Sequence, residues 1–190
     1  MNAKFTKQNV KTELPKVSVT IVSKYLLSLD PKREYFSKNH ELIVDDRDNY
    51  SSRPTIGNFR LNKMLQIIQA LYYACYKQPL FENEMVAFEH GGIVFSIYRN
   101  FLKLHEEKNE FPYSYCLTTK QQEFISKVFF YLKNYSDKKL RELAHEDLAW
   151  QRARVRKGKS FNYDNEVLEY YEKLCGSMLE AMELLDEKDC

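Results

Sequence analysis

Apolar side chains recur at Leu61, Met64, Leu65, Ile68, Leu71, Tyr72 and Cys75. Steps of three, one, three, three, one and three trace one buried face of a helix. The spacing predicts a helix over Phe59–Lys77, with Asn58 as its N-cap and Lys77 against the negative end of the helix dipole. Gln78–Pro79 stops it, because the residue before a proline is held out of the α region. A shorter helix is predicted over Glu82–Glu89, with Met85, Val86 and Phe88 turned inward. Gly91–Gly92 breaks it, and the chain resumes towards Ile97, Tyr98 and Phe101.

The same pattern organises the flanks. Ser18 or Thr20 caps a first helix running to Leu29, with Val19, Val22, Leu26 and Leu29 on one side; Asp30–Pro31 ends it. Residues 32–57 carry no helical period: HELIV reads as a strand or an inserted turn, and DDRDNYSSRP is loop chemistry. Thr119 with Gln122 has the spacing of a capping box, ahead of a helix burying Phe124, Ile125, Val128, Phe129 and Leu132, with Tyr131 beside them. Ser136 caps a short helix, Asp137–Ala144, with Leu140 and Leu143 inward. His145–Ala149 turns into a second short piece ending in Trp150. From about Asn165, Leu168, Tyr171, Cys175, Met178, Met182 and Leu185 form a heptad-like seam that suits a dimer or the domain's own core. The expectation is a mainly α protein: one compact helical domain of about six to seven helices over 17–190. A flexible tail, 1–16, precedes it, and a minor β or irregular insertion falls near 32–57. Its core is built by Phe59–Lys77 against Gln121–Leu132 and the C-terminal helix.

Composition narrows the class. The 190 residues suit one domain with a sizeable core. Only 5 Gly and 5 Pro oppose a turn-rich all-β design, and 14 Tyr and 12 Phe supply core volume. A net charge of +2 makes no global case for nucleic acid. Cys75, Cys116, Cys175 and Cys190 match no metal or redox spacing; Cys75 and Cys175 fall on apolar faces as reduced thiols. The N-terminus has no apolar signal region. Met64–Tyr76, the longest stretch without charge, is too short to span a bilayer. A cytoplasmic setting is expected.

Candidate chemistry is sparse. His40, His105 and His145 are each followed by Glu, yet none continues to the HExxH spacing that puts two imidazoles on one helix face, so no metal site is expected. No GxSxG, GxGxxG or GxxxxGK[ST] occurs. No catalytic residue, no cofactor and no enzymatic activity are expected. Lys63, close to an apolar face, either snorkels or pairs with Glu84 or Glu89. Trp150 either fills a core pocket, giving its indole N–H to a carbonyl while His145 caps or bonds backbone, or forms a docking corner with His145 and Arg154. In the basic run 152–159, Arg152, Arg156, Lys157 and Lys159 are candidate nucleic-acid contacts, against the plainer reading of a solvated loop.

Two blocks carry a resemblance. Leu61, Lys63, Leu65, Tyr72, Tyr73, Pro79, Leu80, Phe81, Ala87, Phe88, Gly91 and Tyr98 follow the order L-x-K-hydrophobic-L…YY, P-L-F, A-(W/F)-x-x-G-(P/G), aromatic. This resembles the Panacea domain of SocA-like antitoxins, a family that includes phage-associated proteins. LRELAHEDLAWQRAR, with Leu140, Leu143, His145, Trp150 and Arg154, is similar to the family's second block. The resemblance covers roughly Val17 to Arg156; Gly91–Gly92 stands for the usual Gly-Pro, and Phe88 for the usual Trp. It implies a non-enzymatic, protein-binding antitoxin of a toxin–antitoxin system. Such a protein neutralises a toxin encoded next door, or acts as an adaptor presenting it to a protease or chaperone. Binding of this kind needs a stable surface with aromatic anchors, and the candidates for it are Phe81, His90, Tyr98, Trp150 and Arg154. The alternative is a nucleic-acid-binding, operon-autoregulating module using the basic run.

Overall fold

A computed structural model describes residues 16–39, 55–82, 85–107, 113–155, 160–163, 176–178 and 180. Within them lie six α-helices, a 3-10 turn and a small sheet, a mainly α fold with minor β. In chain order these are α1 (Val19–Ser28), α2 (Ile56–Tyr76), β1 (Met85–Phe88), β2 (Gly91–Ile93) and α3 (Phe95–Glu106). The 3-10 turn Tyr113–Tyr115 then leads to α4 (Thr119–Leu132), α5 (Asp137–Glu146), α6 (Leu148–Val155) and β3 (Ser160–Phe161).

α2 is the axis of the fold. It packs against α1, α3, α4, α5 and β2. Burial therefore runs round its whole circumference from Gly57 to Cys75, with only Arg60 partly exposed, rather than along one face. The helix starts three residues before the expected Phe59, and Thr55, not Asn58, is the N-cap, its hydroxyl accepting from Asn58 N at 3.4 Å. Asn58 is inside: it donates to Tyr98 O at 2.9 Å and accepts from the Asn62 amide. The early start is possible because Gly57 lets α2 lie directly on the backbone of 36–37, with Gly57 N donating to Ser37 O at 2.9 Å.

α1 is capped by Ser18, whose hydroxyl accepts from Thr20 N. The capping box of α4 is formed by Thr118 and Gln121, one residue earlier than the sequence reading placed it. Phe124, Ile125, Val128, Phe129 and Leu132 then line the core as expected, with Tyr131 half-buried. Ser136 caps α5 through Lys139 N, and Leu140 is buried with Leu143 packed beside it. Arg60 grips Asp137 through two nitrogens at 2.6 and 3.1 Å and lies over the Tyr35 ring, tying the start of α2 to the start of α5.

The expected helix over Glu82–Glu89 is a strand instead. β1 pairs antiparallel with β2 through Val86–Ile93, Ala87–Gly92 and Phe88–Gly91, and with β3 through Met85–Phe161 and Val86–Ser160. Met85 and Ala87 point inward while Phe88 is 41% exposed, the alternation of a strand. Phe88 is thus outside, not inside. The turn at Glu89–His90 needs a following residue at positive φ, and Gly91 supplies it at φ 112°. The segment over HELIV, the tail before Lys16 and most of the heptad seam lie outside the described residues. Met178, from that seam, is helical and packs against the core.

Candidate functional site

Asn58, Asn62, Gln66 and Gln69 follow one another along α2 in steps of four, four and three, a polar stripe on an otherwise apolar helix. Each hydrogen-bonds main chain of the segments packed round it. Gln69 clamps the Pro79–Phe81 corner: its carbonyl accepts from Leu80 N and Phe81 N, and its amide donates to Phe81 O at 2.8 Å. Asn62 accepts from Val94 N at 3.1 Å, fixing the start of α3. Gln66 accepts from Gly92 N at 2.7 Å and donates to Ala144 O and Asp147 Oδ2, joining the hairpin to the α5–α6 junction.

Asp147, 3% exposed, is the hub of that junction. Its Oδ1 accepts from Trp150 N at 3.1 Å, capping α6. Its Oδ2 accepts from Gln66 and from the Tyr163 hydroxyl at 2.7 Å. Asp147→Ala leaves three buried donors without this acceptor and is expected to cost about 2–3 kcal/mol. Urea unfolding reads this directly; a midpoint equal to wild type would show that the carboxylate does not hold the junction.

Lys63 is 2% exposed and donates to Gly92 O at 3.1 Å, beside the Phe59 ring. The expected partner Glu89 lies instead by Arg154, and Glu84 is outside the described residues. Burial pushes the Lys63 ammonium down to about 7, only partly opposed by the charge of Asp147. A Cβ on Gly91 would lie 2.7 Å from Lys63 Nζ, so the lysine is packed under the turn.

The HEDLAW block closes over the hairpin. The His145 ring stacks flat on Trp150, centroids 4.6 Å apart and planes at 4°. Trp150 is 3% exposed and gives its indole N–H to Phe88 O at 2.9 Å, as expected of a core tryptophan. The buried Nε2 of His145 has no hydrogen-bond partner among the described residues, backbone included. Burial, then the nearby charges of Lys63, His90, Arg141 and Arg154, hold its pKa down to about 4. Arg154 lies over the Trp150 ring at 5.2 Å and 4.0 Å from Glu89.

Of the residues singled out for partner binding, His90, Tyr98, Trp150 and Arg154 gather round the hairpin. Phe81 is in the core at the Gln69 clamp, and His90 and Trp150 are buried too. Tyr98 is half-buried, and Arg154 is exposed. The motif residues Leu61, Leu65 and Tyr72 are core. Arg152 is exposed on α6, while Arg156, Lys157 and Lys159 lie outside the described residues. The sequence reading missed Gln66, Gln69, Asp147 and Tyr163. The regular spacing of amides on an apolar helix was the signal for the first two; nothing local marked Asp147 or Tyr163. Among the described residues, no group of three His, Cys, Asp or Glu is placed to hold a metal ion, and no helix is long and apolar enough to cross a membrane.

Residues 61–151 match the family model described as antitoxin SocA-like, Panacea domain. The match runs from α2 to α6 and leaves out α1, β3 and Tyr163. No curated protein and no solved structure matches the chain.

Proposed function

We propose, from the match of residues 61–151 to the antitoxin SocA-like, Panacea domain, that this chain is a non-enzymatic binding protein. It neutralises a toxin partner by direct contact, or holds that partner for a protease. A toxin encoded beside it is the first candidate, and a reducing cytoplasm is the setting this reading implies. The family match carries the reading. The chemistry of the site supports it. The polar side chains that the two blocks bring together are turned inward, onto main chain and one another, as a scaffold rather than a reactive cleft. Round the hairpin the aromatic groups Phe88 and Tyr98 reach solvent, together with Arg154 and the Glu89 that lies beside it. Aromatic groups and arginine are the side chains that most often anchor protein interfaces.

Co-expression with each flanking reading-frame product tests it. One product is expected to arrest growth alone, to be tolerated with this chain, and to co-purify with it. No rescue and no co-purification with any flanking product would overturn the reading. Retention on duplex DNA that falls steeply with salt would transfer the function to the basic run 152–159.

A further inference from the structure

We propose that the partner docks on the outward face of α3, extended by Phe88, and that it presents apolar side chains framed by carboxylates. The proposal rests on the protein-binding reading and names the surface.

α3 turns Ile97, Phe101 and Leu104 into the core. It leaves Phe95 44% and Leu102 54% exposed. Phe95, Tyr98, Arg99 and Leu102 step by three, one and three, so they form one stripe along the helix. The Tyr98 ring stacks on Phe88 at 6.5 Å, which carries the stripe across onto β1. A contiguous exposed apolar stripe marks an interaction site where scattered apolar residues do not.

The surface is also held rigid from beneath. Asn58 donates to Tyr98 O, Asn62 accepts from Val94 N, and Trp150 donates to Phe88 O. Buried side chains thus fix the backbone of both halves, which lowers the ordering cost of binding.

Charge selects the occupant. Arg99 lies over the Phe95 ring at 4.7 Å, and Lys103 follows it one turn on. Neither has a carboxylate within ion-pair distance among the described residues. The acids nearby are engaged elsewhere: Glu106 with Lys38 at 2.8 Å, Glu107 with Lys24 at 2.6 Å, Glu89 with Arg154 at 4.0 Å. Among the described residues the face is therefore apolar with positive charge at Arg99 and Lys103 that no carboxylate matches, the nearby Glu106 being held by Lys38. A second copy would bring Arg99 and Lys103 against their own kind, so a different, acidic partner is favoured.

The test uses the full chain, co-expressed with the flanking product it binds. Two double variants are made, Phe95→Ser with Leu102→Ser and Arg99→Glu with Lys103→Glu. Phe130→Ser is the control, an exposed aromatic on α4 with Lys133 over it at 4.6 Å. Both double variants are expected to bind at least about tenfold more weakly, with unfolding midpoints near wild type. Salt is expected to weaken wild-type binding more than that of the charge-reversed variant. Phe130→Ser is expected to bind as wild type. Wild-type binding by both double variants overturns this surface alone and leaves the protein-binding reading standing. No flanking product binding wild type removes that reading and this proposal with it. Self-association of wild type, or co-sedimentation with anionic phospholipid vesicles, abolished by the same substitutions would assign the face to a homodimer or a membrane and overturn the acidic partner.

Discussion

Gly57→Ala is expected to lower stability by about 3–5 kcal/mol, the range of severe overpacking at a site that cannot relax. An added Cβ would sit 2.3 Å from Phe36 O, 2.4 Å from Phe36 C and 2.6 Å from Ser37 O. All three are main-chain atoms, so no rotamer change relieves the collision. Segment 36–37 has to move off α2, breaking the hydrogen bond from Gly57 N to Ser37 O and disturbing Phe36, which is fully buried and stacks on Phe129. Gly176→Ala is the contrast. A Cβ there meets nothing within 4 Å and the residue is helical, so the substitution is expected to be neutral or to stabilise by about 0.5–1 kcal/mol. Urea midpoints of the two variants check both; equal midpoints would mean that α2 is not seated on residues 36–37.

Lys63 is expected to make stability rise with pH from about 7 to 9.5. Unfolded, its ammonium titrates at the ordinary 10.5; folded, burial beneath the hairpin brings it to about 7. Below 7 both states are protonated, and folding carries the full penalty of burying the charge. Between 7 and 10.5 the folded state holds fewer protons than the unfolded state, so stability climbs with pH. At about 1.4 kcal/mol per unit the whole shift from 10.5 to about 7 is worth on the order of 5 kcal/mol. Measurement stops near 9.5, because Tyr35, Tyr72, Tyr113 and Tyr135 are held above their ordinary values by burial and oppose the trend beyond it. His145 acts in a separate window: its lowered pKa removes stability as pH falls from 6.5 towards about 4. Lys63→Met is expected to flatten the upper window and, by removing a charge that helps to hold the His145 pKa down, to soften the lower one as well. The variant should be at least as stable as wild type at pH 6. It should be less stable at 9.5, where a neutral lysine still satisfies Gly92 O. Parallel wild-type and variant profiles from 7 to 9.5 would contradict the burial of this group.

The elements that periodicity defines were legible. α1, α4 and α5 have apolar steps with a hydroxyl just ahead, and each appears within a few residues of its expected place. Trp150 was legible in kind, since a buried indole must find an acceptor. The hairpin was not. Met85, Val86 and Phe88 fit a short helix as well as a strand, and the choice was made by long-range partners: Gln66 from α2 and β3 from 160–161. Burial of α2 on all sides was hidden because its amides look like solvent-facing residues until the main chain they bond is in place. For the same reason Phe81, placed on the partner surface, is in the core. Phe88, placed inside, joins the exposed stripe instead.

Gly92 has both its main-chain groups taken by α2, its N–H by Gln66 and its carbonyl by Lys63. It is the central residue of β2, a strand at the margin of the sheet. That margin offers no ladder of open donors and acceptors, so β-augmentation by a foreign strand is closed there. Two side chains seal the edge against templated aggregation, leaving side-chain recognition as the route by which another protein engages the β2 side of the hairpin.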